Sequence, residues 1–226
     1  MVTNVRDGPL QVEVRGDFAC FTRPEMKVER VSYPVMTPSA ARGVLEAIFW
    51  KPEFRWQVEE IAVLKEIRYF SILRNEVNSR ASERVARSWE RSGGGFIAEE
   101  DRAQRHTLAL RDVAYRISAR IELHPHATDD IAKYRDQFRR RVQTGRCFAT
   151  PYLGCREFSA SFGPASDAPP IDLTDELGSM LLDIDYVRDG GGRGTPRFFG
   201  ARIERGVVRV PAWAGEEASH AAATAQ

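Results

Sequence analysis

Cysteine, lysine and long apolar runs are all scarce in this chain of 226 residues. The three cysteines, Cys20, Cys147 and Cys155, include no CxxC pair, and their odd number excludes a complete disulfide framework. Their spacing fits no common zinc motif, so we expect no metal site and no cofactor. No stretch approaches the ~20 apolar residues of a membrane-spanning helix, and the N-terminus lacks a secretory signal. These absences predict a cytoplasmic protein with no membrane partner.

The scarcity of lysine makes the basic residues almost uniformly arginine. Of 33 basic residues only four are lysine, so 29 are arginine. The planar fork of donors on arginine pairs with phosphate and stacks on bases, which favours a nucleic-acid partner. A GC-rich genome would enrich arginine codons without any such partner, so composition alone leaves both interpretations open.

The charges are also segregated along the chain. Residues 133–146 carry a local balance of +5, whereas residues 166–189 carry −6. A molecule with one basic and one acidic face can hold a polyanion on the first and a basic partner on the second. Two solvated faces without a partner would give the same pattern.

The first third of the chain contains clear strand and helix signals. Residues 10–21 alternate between apolar and polar side chains and predict a strand. Thr37 as N-cap and Pro38 at the first helical position open a helix that ends before Lys51. Residues 54–75 are rich in β-branched and aromatic side chains and predict one or two strands.

The middle of the chain contrasts a polar insert with regular elements. Residues 76–105 are arginine-rich and interrupted by three glycines, which predicts a functional loop or a mobile insert. Residues 106–123 alternate and predict a long strand, residues 129–142 carry a helical apolar stripe, and residues 156–162 predict a short strand.

These elements follow the order βαββαβ, which predicts an α+β fold with a ferredoxin-like (RRM-like) N-terminal domain over residues 1–163. Residues 164–213 then predict a small C-terminal β appendage with a hairpin turn near Arg205-Gly206. Residues 214–226 are alanine-rich and predict a disordered tail. A glycine run at 190–194 is either a phosphate-binding loop or a flexible hairpin loop.

Several separated blocks carry a family resemblance that spans nearly the whole chain before the tail. They are GDFACFTRPE at 16–25, SYPVMTPSAARG at 32–43, IFWKP at 48–52, QRHTLALRDVAYRI at 104–117, PYLGCRE at 151–157 and TPRFF at 195–199. Together these blocks resemble the d subtype of the Cas-five family of CRISPR-associated proteins, found in type I-C systems, within the repeat-associated RNA-binding superfamily.

The resemblance implies a metal-independent endoribonuclease that cuts CRISPR precursor RNA within its repeats. The RNA's own 2′-OH would attack the adjacent phosphate and leave a 2′,3′-cyclic phosphate. The enzyme would then stay on the 5′ handle of the crRNA as a subunit of the type I-C interference complex. Such chemistry needs a base, a cation for the phosphorane charge and an acid.

The resemblance also implies catalytic positions, and this chain departs from two of them. The family's tyrosine at the end of the first helix is matched by Phe49, and its Lys-His pair by Lys133-Tyr134. We therefore expect Lys133 to supply the cation. Tyr134 would handle protons unless it belongs to the apolar stripe. The other candidates for proton transfer are His106, beside two arginines, and the His124-Pro125-His126 run.

Basic residues from several parts of the chain form the predicted RNA-binding set. They are Arg42, Lys51, Arg102, Arg105, Arg139, Arg140, Arg146, Arg193 and Arg197. Trp50 and the Phe198-Phe199 pair could stack on bases, although aromatic residues in these patterns are equally typical of a core. Two other functions stay open: a non-catalytic subunit that caps the crRNA handle, and general nucleic-acid binding that includes duplex DNA.

Overall fold

Strands and helices alternate in a mixed α/β fold, as the coarse form of the sequence prediction requires. The computed structural model describes residues 8–26, 28–79, 82–186 and 194–212, with only the backbone of Tyr186. The elements are β1 (Leu10–Ala19), β2 (Arg30–Val31), α1 (Pro38–Ile48), β3 (Phe54–Val63), β4 (Tyr69–Val77), α2 (Glu83–Ser92), β5 (Arg102–Leu123), α3 (Ile131–Thr144), β6 (Ser161–Gly163), β7 (Asp175–Tyr186), β8 (Gly194–Glu204) and β9 (Val207–Arg209).

One curled sheet joins these strands in the order β6-β1-β5-β3-β9-β8-β7, with β2 and β4 also pairing with β5. The long strand β5 organises the sheet. Its first half pairs antiparallel with β4, and its second half lies between β1 and β3. Asp112, whose φ of 53° is unusual for a non-glycine residue, marks the change of partners. The predicted long strand is confirmed and begins four residues earlier, at Arg102.

Helix α1 forms where its capping residues predict it. The Thr37 hydroxyl accepts a hydrogen bond from the Ala40 backbone N–H at 3.2 Å, and Pro38 occupies the first helical position. The helix buries Ala41, Val44, Leu45 and Ile48 against the sheet. It ends one residue before Phe49, whose N–H still donates to the Leu45 carbonyl at 2.8 Å.

Helix α3 begins two residues later than its apolar stripe predicts. Asp130 is the N-cap and accepts a hydrogen bond from the Ala132 N–H at 2.7 Å. Gly145, with a φ of 65°, ends the helix in the left-handed conformation. Three members of the predicted stripe, Tyr134, Phe138 and Val142, are buried, whereas Ile131 in the first turn is exposed.

The core beneath α1 and α3 is aromatic. The Phe138 and Trp56 rings lie 4.7 Å apart between centroids, and the Phe54 ring contacts both Phe49 at 5.4 Å and Tyr134 at 5.3 Å. Burial of such rings contributes more stabilisation than any other side-chain type in the core. The two helices are therefore fixed against the end of the sheet where β3 begins and β5 ends.

The polar insert contains the ends of two paired strands and one helix, joined by short irregular segments. Strands β4 and β5 continue as an antiparallel ribbon to the pair Val77↔Arg102, and helix α2 follows β4 with Ser82 as its N-cap. We call this projection, residues 71–79 and 82–108, the arm. Its helix buries no residue, so the arm is held mainly by backbone hydrogen bonds of the ribbon.

The C-terminal strands complete the same sheet. The hairpin turn predicted near Arg205-Gly206 is confirmed, and both residues have positive φ, 47° and 77°. Strand β9 pairs with β3, so the appendage continues the sheet of the N-terminal half. The strand predicted at 156–162 is reduced to the three residues of β6. Most of the glycine run and all of the tail lie outside the described residues.

Among the residues that the structure describes, no helix is long and apolar enough to cross a membrane.

Candidate nucleic-acid interface

The C-terminal ends of α1 and β5 and the N-terminal ends of β3 and α3 meet at one end of the sheet. The loop after α1 leads into β3, and the loop after β5 leads into α3. The two loops touch directly, because the His124 N–H donates to the Glu53 carbonyl at 2.8 Å and the His126 Nε2 lies 3.0 Å from the Pro52 carbonyl oxygen. The His124 and His126 rings stack with centroids 5.5 Å apart. We call residues 49–53 and 124–134 the helix-end site.

Lys133 presents a cation at the surface of this site. Its ammonium donates a hydrogen bond to Asp129 Oδ2 at 2.7 Å, and 53% of the side chain remains exposed. The hydrogen bond to Asp129 raises the pKa of Lys133 above its usual value, so this group stays protonated at neutral pH. It lies in the first turn of α3, where the helix dipole also favours an anion.

The Tyr134 side chain points into the core rather than toward solvent. Its side chain is 2% exposed, and its hydroxyl finds no hydrogen-bond partner among the described residues. Burial raises the pKa of this hydroxyl, and the nearby Glu53 carboxylate raises it further. The geometry places Tyr134 in the core, away from any solvent-borne substrate.

Phe49, at the position of the family's tyrosine, is also buried. Its ring lies under the Arg141 guanidinium at 5.2 Å, and its carbonyl accepts a hydrogen bond from Trp56 Nε1 at 2.9 Å. Neither contact provides a group for proton transfer. The helix-end site also contains His124 and His126, whose ring nitrogens can donate and accept hydrogen bonds.

The structure does not bring His106 to Lys133. His106 pairs with Leu73 in the arm, and the residues between it and Leu123 span roughly 55 Å of strand at ~3.3 Å per residue. Only the second half of β5 reaches the helix-end site, so the predicted combination of Lys133 with His106 is not a single site.

Some basic residues of α3 contact neighbouring parts of the fold, and others face solvent. Arg135 donates to the Gly8 carbonyl at 2.6 Å and Arg141 to the Ile48 carbonyl at 2.8 Å, so both hold the helix to its neighbours. Arg140 is exposed and shares a face with Lys133, two turns away. Arg139, between them, pairs with Asp136 at 2.9 Å.

A shallow groove continues this face at the end of α3. Its lining residues, which we call the α3 groove, are Arg140, Arg141, Thr144, Arg146 and Cys147. The chain then turns back to α1, where the Phe148 N–H donates to the Ala47 carbonyl at 2.8 Å. The groove is therefore close to the C-terminal end of α1, which Trp50 and Lys51 follow in the chain.

Arg42 has a different place from the one predicted. Its guanidinium donates to Glu46 at 2.7 Å and to Asp183 at 2.6 Å, which ties α1 to β7. Although burial disfavours its charged form, the hydrogen bond to Asp183 and the charge of Glu46 raise the pKa of Arg42. Both terminal nitrogens of the Arg42 guanidinium are thus hydrogen-bonded within the fold.

Three of the remaining predicted RNA-binding arginines have partners in elements other than α3. Arg102 pairs with Glu99 at 3.2 Å and Arg105 donates to Asn78 at 2.9 Å, both in the arm. Arg197 pairs with Asp185 in the β7–β8 hairpin. Arg193 lies outside the described residues. The predicted set therefore forms three separate groups rather than one surface.

A buried thiol pair lies where the arm joins the sheet, and sequence reasoning did not find it. Arg30 Nη1 donates to Cys155 Sγ at 3.5 Å and forms an ion pair with Glu76 in β4 at 3.4 Å. The hydrogen bond from Cys20, together with Arg30, lowers the pKa of Cys155 to about 6, and the same contact raises that of Cys20. These cysteines are 135 residues apart, so no local motif could reveal the pair.

Sequence reasoning also missed Phe148, whose ring is 77% exposed. The available signal was its position three residues after the helix-ending Gly145, where an apolar side chain has no helical stripe to join.

Comparisons with known proteins agree on one family. The family model described as "CRISPR-associated protein (Cas_Cas5)", Cas5d subtype, matches residues 10–211. The chain is 49% identical over 219 residues to the CRISPR pre-crRNA endoribonuclease Cas5d of Thermus thermophilus, which covers 90% of this chain and 91% of the relative.

A second relative and a solved structure extend the comparison. The CRISPR pre-crRNA endoribonuclease Cas5d of Mannheimia succiniciproducens is 42% identical over 222 residues, 92% of this chain and 97% of the relative. The crystal structure of a CRISPR-associated protein superposes with a TM-score of 0.64 at 22% identity, over 91% of this chain and 92% of the other. That structural likeness supports the fold.

Proposed function

Because this chain belongs to the Cas5d family of CRISPR-associated proteins, we propose that it is a pre-crRNA endoribonuclease that recognises the hairpin of the CRISPR repeat by shape and phosphate contact and cuts within the repeat. Both relatives compared above carry that activity in their names, and each is matched over at least nine-tenths of its length. The substrate would be the repeat RNA in the cytoplasm, and the product a crRNA whose 5′ handle stays bound as part of the type I-C interference complex.

The observation that carries this proposal is the placement of Lys133. It is an exposed, protonated ammonium on the helix-end site that also contains His124 and His126, and the exposed Arg140 follows two turns later on the same face of α3. An RNA strand held along that surface would bring a phosphate to the ammonium. Such a fixed cation stabilises negative charge that develops in the transition state.

The reaction we propose uses the RNA's own 2′-OH and needs no metal ion. A base takes the 2′-OH proton, the 2′-oxygen forms a bond to phosphorus, and the bond from phosphorus to the 5′-oxygen breaks. An acid returns a proton to the 5′-oxygen, which leaves a 2′,3′-cyclic phosphate and a 5′-OH. Lys133 would neutralise the phosphorane, and the histidine pair at 124 and 126 would move the protons.

This assignment replaces Tyr134 and His106 as proton carriers. A buried hydroxyl with a raised pKa is a poor base at neutral pH, and His106 lies on the arm. His126 is the better placed of the two remaining histidines, because its ring already contacts the loop that follows α1.

The fold supports a ferredoxin-like core of residues 1–163. Strands β6, β1, β5 and β3 lie in that order, and α1 and α3 provide the two connections of a βαββαβ unit. Residues 164–213 would then be an appendage that widens the same sheet. In this arrangement the helix-end site lies at the end of the sheet where α1 ends and α3 begins.

The test is incubation of the purified protein with the cognate repeat RNA in the presence of EDTA. We expect cleavage at one position, with a 2′,3′-cyclic phosphate on the 5′ fragment shown by end-group analysis. Intact RNA at protein excess would contradict the activity, and a 3′-hydroxyl product would contradict the 2′-OH mechanism.

A second function is favoured by the residues at the family's catalytic positions. Phe49 has no hydroxyl and Tyr134 is buried, so two of the three matched side chains cannot reach a phosphate. A non-catalytic subunit that caps the crRNA handle would retain the basic surface and lose the chemistry. Tight, repeat-specific binding without cleavage would identify it. Affinity that ignores sequence and extends to duplex DNA would indicate general nucleic-acid binding.

A further inference from the structure

Phe148 is more exposed than any other large hydrophobic side chain in the described part of the chain. Its side chain is 77% exposed, and Trp50, at the end of the neighbouring helix, is 50% exposed. A single exposed apolar side chain needs no explanation in general. These two are different, because both occur at the same junction of α1 and α3.

The backbone holds Phe148 in place. Its N–H and the N–H of Ala149 both donate to the Ala47 carbonyl, at 2.8 and 3.0 Å, and upstream the Arg146 N–H donates to the Arg141 carbonyl at 3.0 Å. The aromatic ring is therefore presented to solvent by a pinned chain rather than by a free loop. Ala47 lies three residues before Trp50, so the two rings project from adjoining backbone.

The surroundings of Phe148 are positively charged. Between Asp136 and Glu157 the sequence has no acidic residue. Arg140 and Arg146, on either side of the α3 groove, have no ion pair with any described residue. An uncompensated basic groove beside an exposed aromatic ring suits a polyanion that also carries flat apolar faces, and single-stranded nucleic acid has both features.

We propose that Phe148 and Trp50 form a stacking platform for unpaired nucleotides next to the repeat hairpin, with Arg140 and Arg146 on the adjacent phosphates. This inference rests on the proposed function, since it names a subsite for the same RNA. Base stacking on aromatic side chains tolerates any sequence, so the platform would position the strand while the paired stem provides recognition. A protein partner is less suited to the site, because it would have to place one carboxylate opposite Arg140 and another opposite Arg146.

The experiment compares two RNA probes, the repeat hairpin alone and the hairpin with its single-stranded flanks. A 2-aminopurine base in the flank reports stacking through quenching of its fluorescence. For the wild-type protein we expect the flanked probe to bind more tightly and its 2-aminopurine to be quenched. The Phe148→Ala variant should bind the flanked probe roughly 10-fold more weakly, lose the quenching, and bind the bare hairpin unchanged.

Two further variants separate stacking from structure. Phe148→Tyr should restore both affinity and quenching, and Phe96→Ala, which removes a half-exposed ring from the arm, should change neither. Thermal melting verifies that each variant is folded.

The inference is overturned if Phe148→Ala binds both probes as the wild type does, which would indicate a protein-docking role, or if it loses both equally. It is also overturned if the wild-type protein binds neither probe. Flank-dependent binding without cleavage would support the platform and refute the nuclease, so the two proposals fail separately.

Discussion

Residues 131–147, which are α3 and the groove at its end, and the arm are both rich in arginine, yet their charges are balanced in different ways. In the arm, Arg105 lies 3.6 Å from Glu76, and Arg87 pairs with Glu83 in the next helix. On α3, by contrast, Arg140 and Arg146 have no carboxylate partner among the described residues. Arginine content alone therefore does not locate a polyanion site. The better guide is whether each guanidinium has a carboxylate partner, which depends on the fold.

The two regions also differ in how they are held. The helix-end site stands on a buried aromatic cluster, whereas α2 in the arm buries nothing. Catalysis needs side chains fixed to within a fraction of an ångström, and packed elements provide that rigidity better than an exposed ribbon.

The largest expected effect is on stability. Phe138→Ala should lower the free energy of unfolding by about 3–5 kcal/mol, because a fully buried ring against Trp56 is lost. Leu73→Ala on the arm, where half of the side chain is exposed, should change it by less than about 0.5 kcal/mol. Urea denaturation of both variants measures the difference. Equal losses would show that the arm is as tightly packed as the core.

The second-largest expected effect is on the rate of RNA cleavage when a histidine is removed from either region. His126→Ala should slow RNA cleavage by about 100-fold, the usual contribution of a general acid or base, and leave RNA binding intact. His106→Ala should cleave at the wild-type rate. Single-turnover kinetics on one labelled repeat compares them. A loss confined to His106→Ala would move the active site to the arm.

A smaller effect is expected on the salt dependence of binding. The double variant Arg140→Ala, Arg146→Ala should reduce the slope of log K against log salt by about 1.4, since each arginine would contact one phosphate of a single strand. The matched arm variant Arg102→Ala, Arg105→Ala should change the slope less, because these guanidinium groups already have partners. Titrations at four salt concentrations give both slopes.

A final comparison concerns the thiol pair at the base of the arm. The pKa of Cys155 is lowered to about 6, so between pH 6 and 9 the unfolded chain holds a proton that the folded one has released. Stability should therefore rise with pH across this window. Above pH 9 the raised pKa of Cys20 reverses the trend. Melting temperatures of wild type and Cys155→Ala test this prediction, and the variant should show a flatter profile.

The sequence predicts the elements whose signals are local. Thr37 with Pro38 places the start of α1, and the apolar stripe containing Tyr134 and Phe138 identifies α3 as well as its buried face. The turn at Arg205-Gly206 follows from glycine's tolerance of positive φ. Each of these features depends on residues within a few positions of one another.

What the sequence could not predict depends on distant contacts. Arg42 looks like an RNA ligand until Asp183, 141 residues away, is placed beside it. The insert becomes a ribbon only because β5 extends to pair with β4. His106 and His126 are equivalent as sequence signals, and the direction of one long strand decides which of them lies near Lys133.

The central claim is that the helix-end site performs the chemistry, and a comparison of two lysines tests it most directly. Lys133 and Lys65 are both half-exposed and each pairs with one aspartate, Asp129 and Asp112 respectively. Single-turnover cleavage of the cognate repeat should slow by about 100-fold in Lys133→Ala, with binding retained, and proceed at the wild-type rate in Lys65→Ala. Wild-type cleavage by Lys133→Ala would contradict the account.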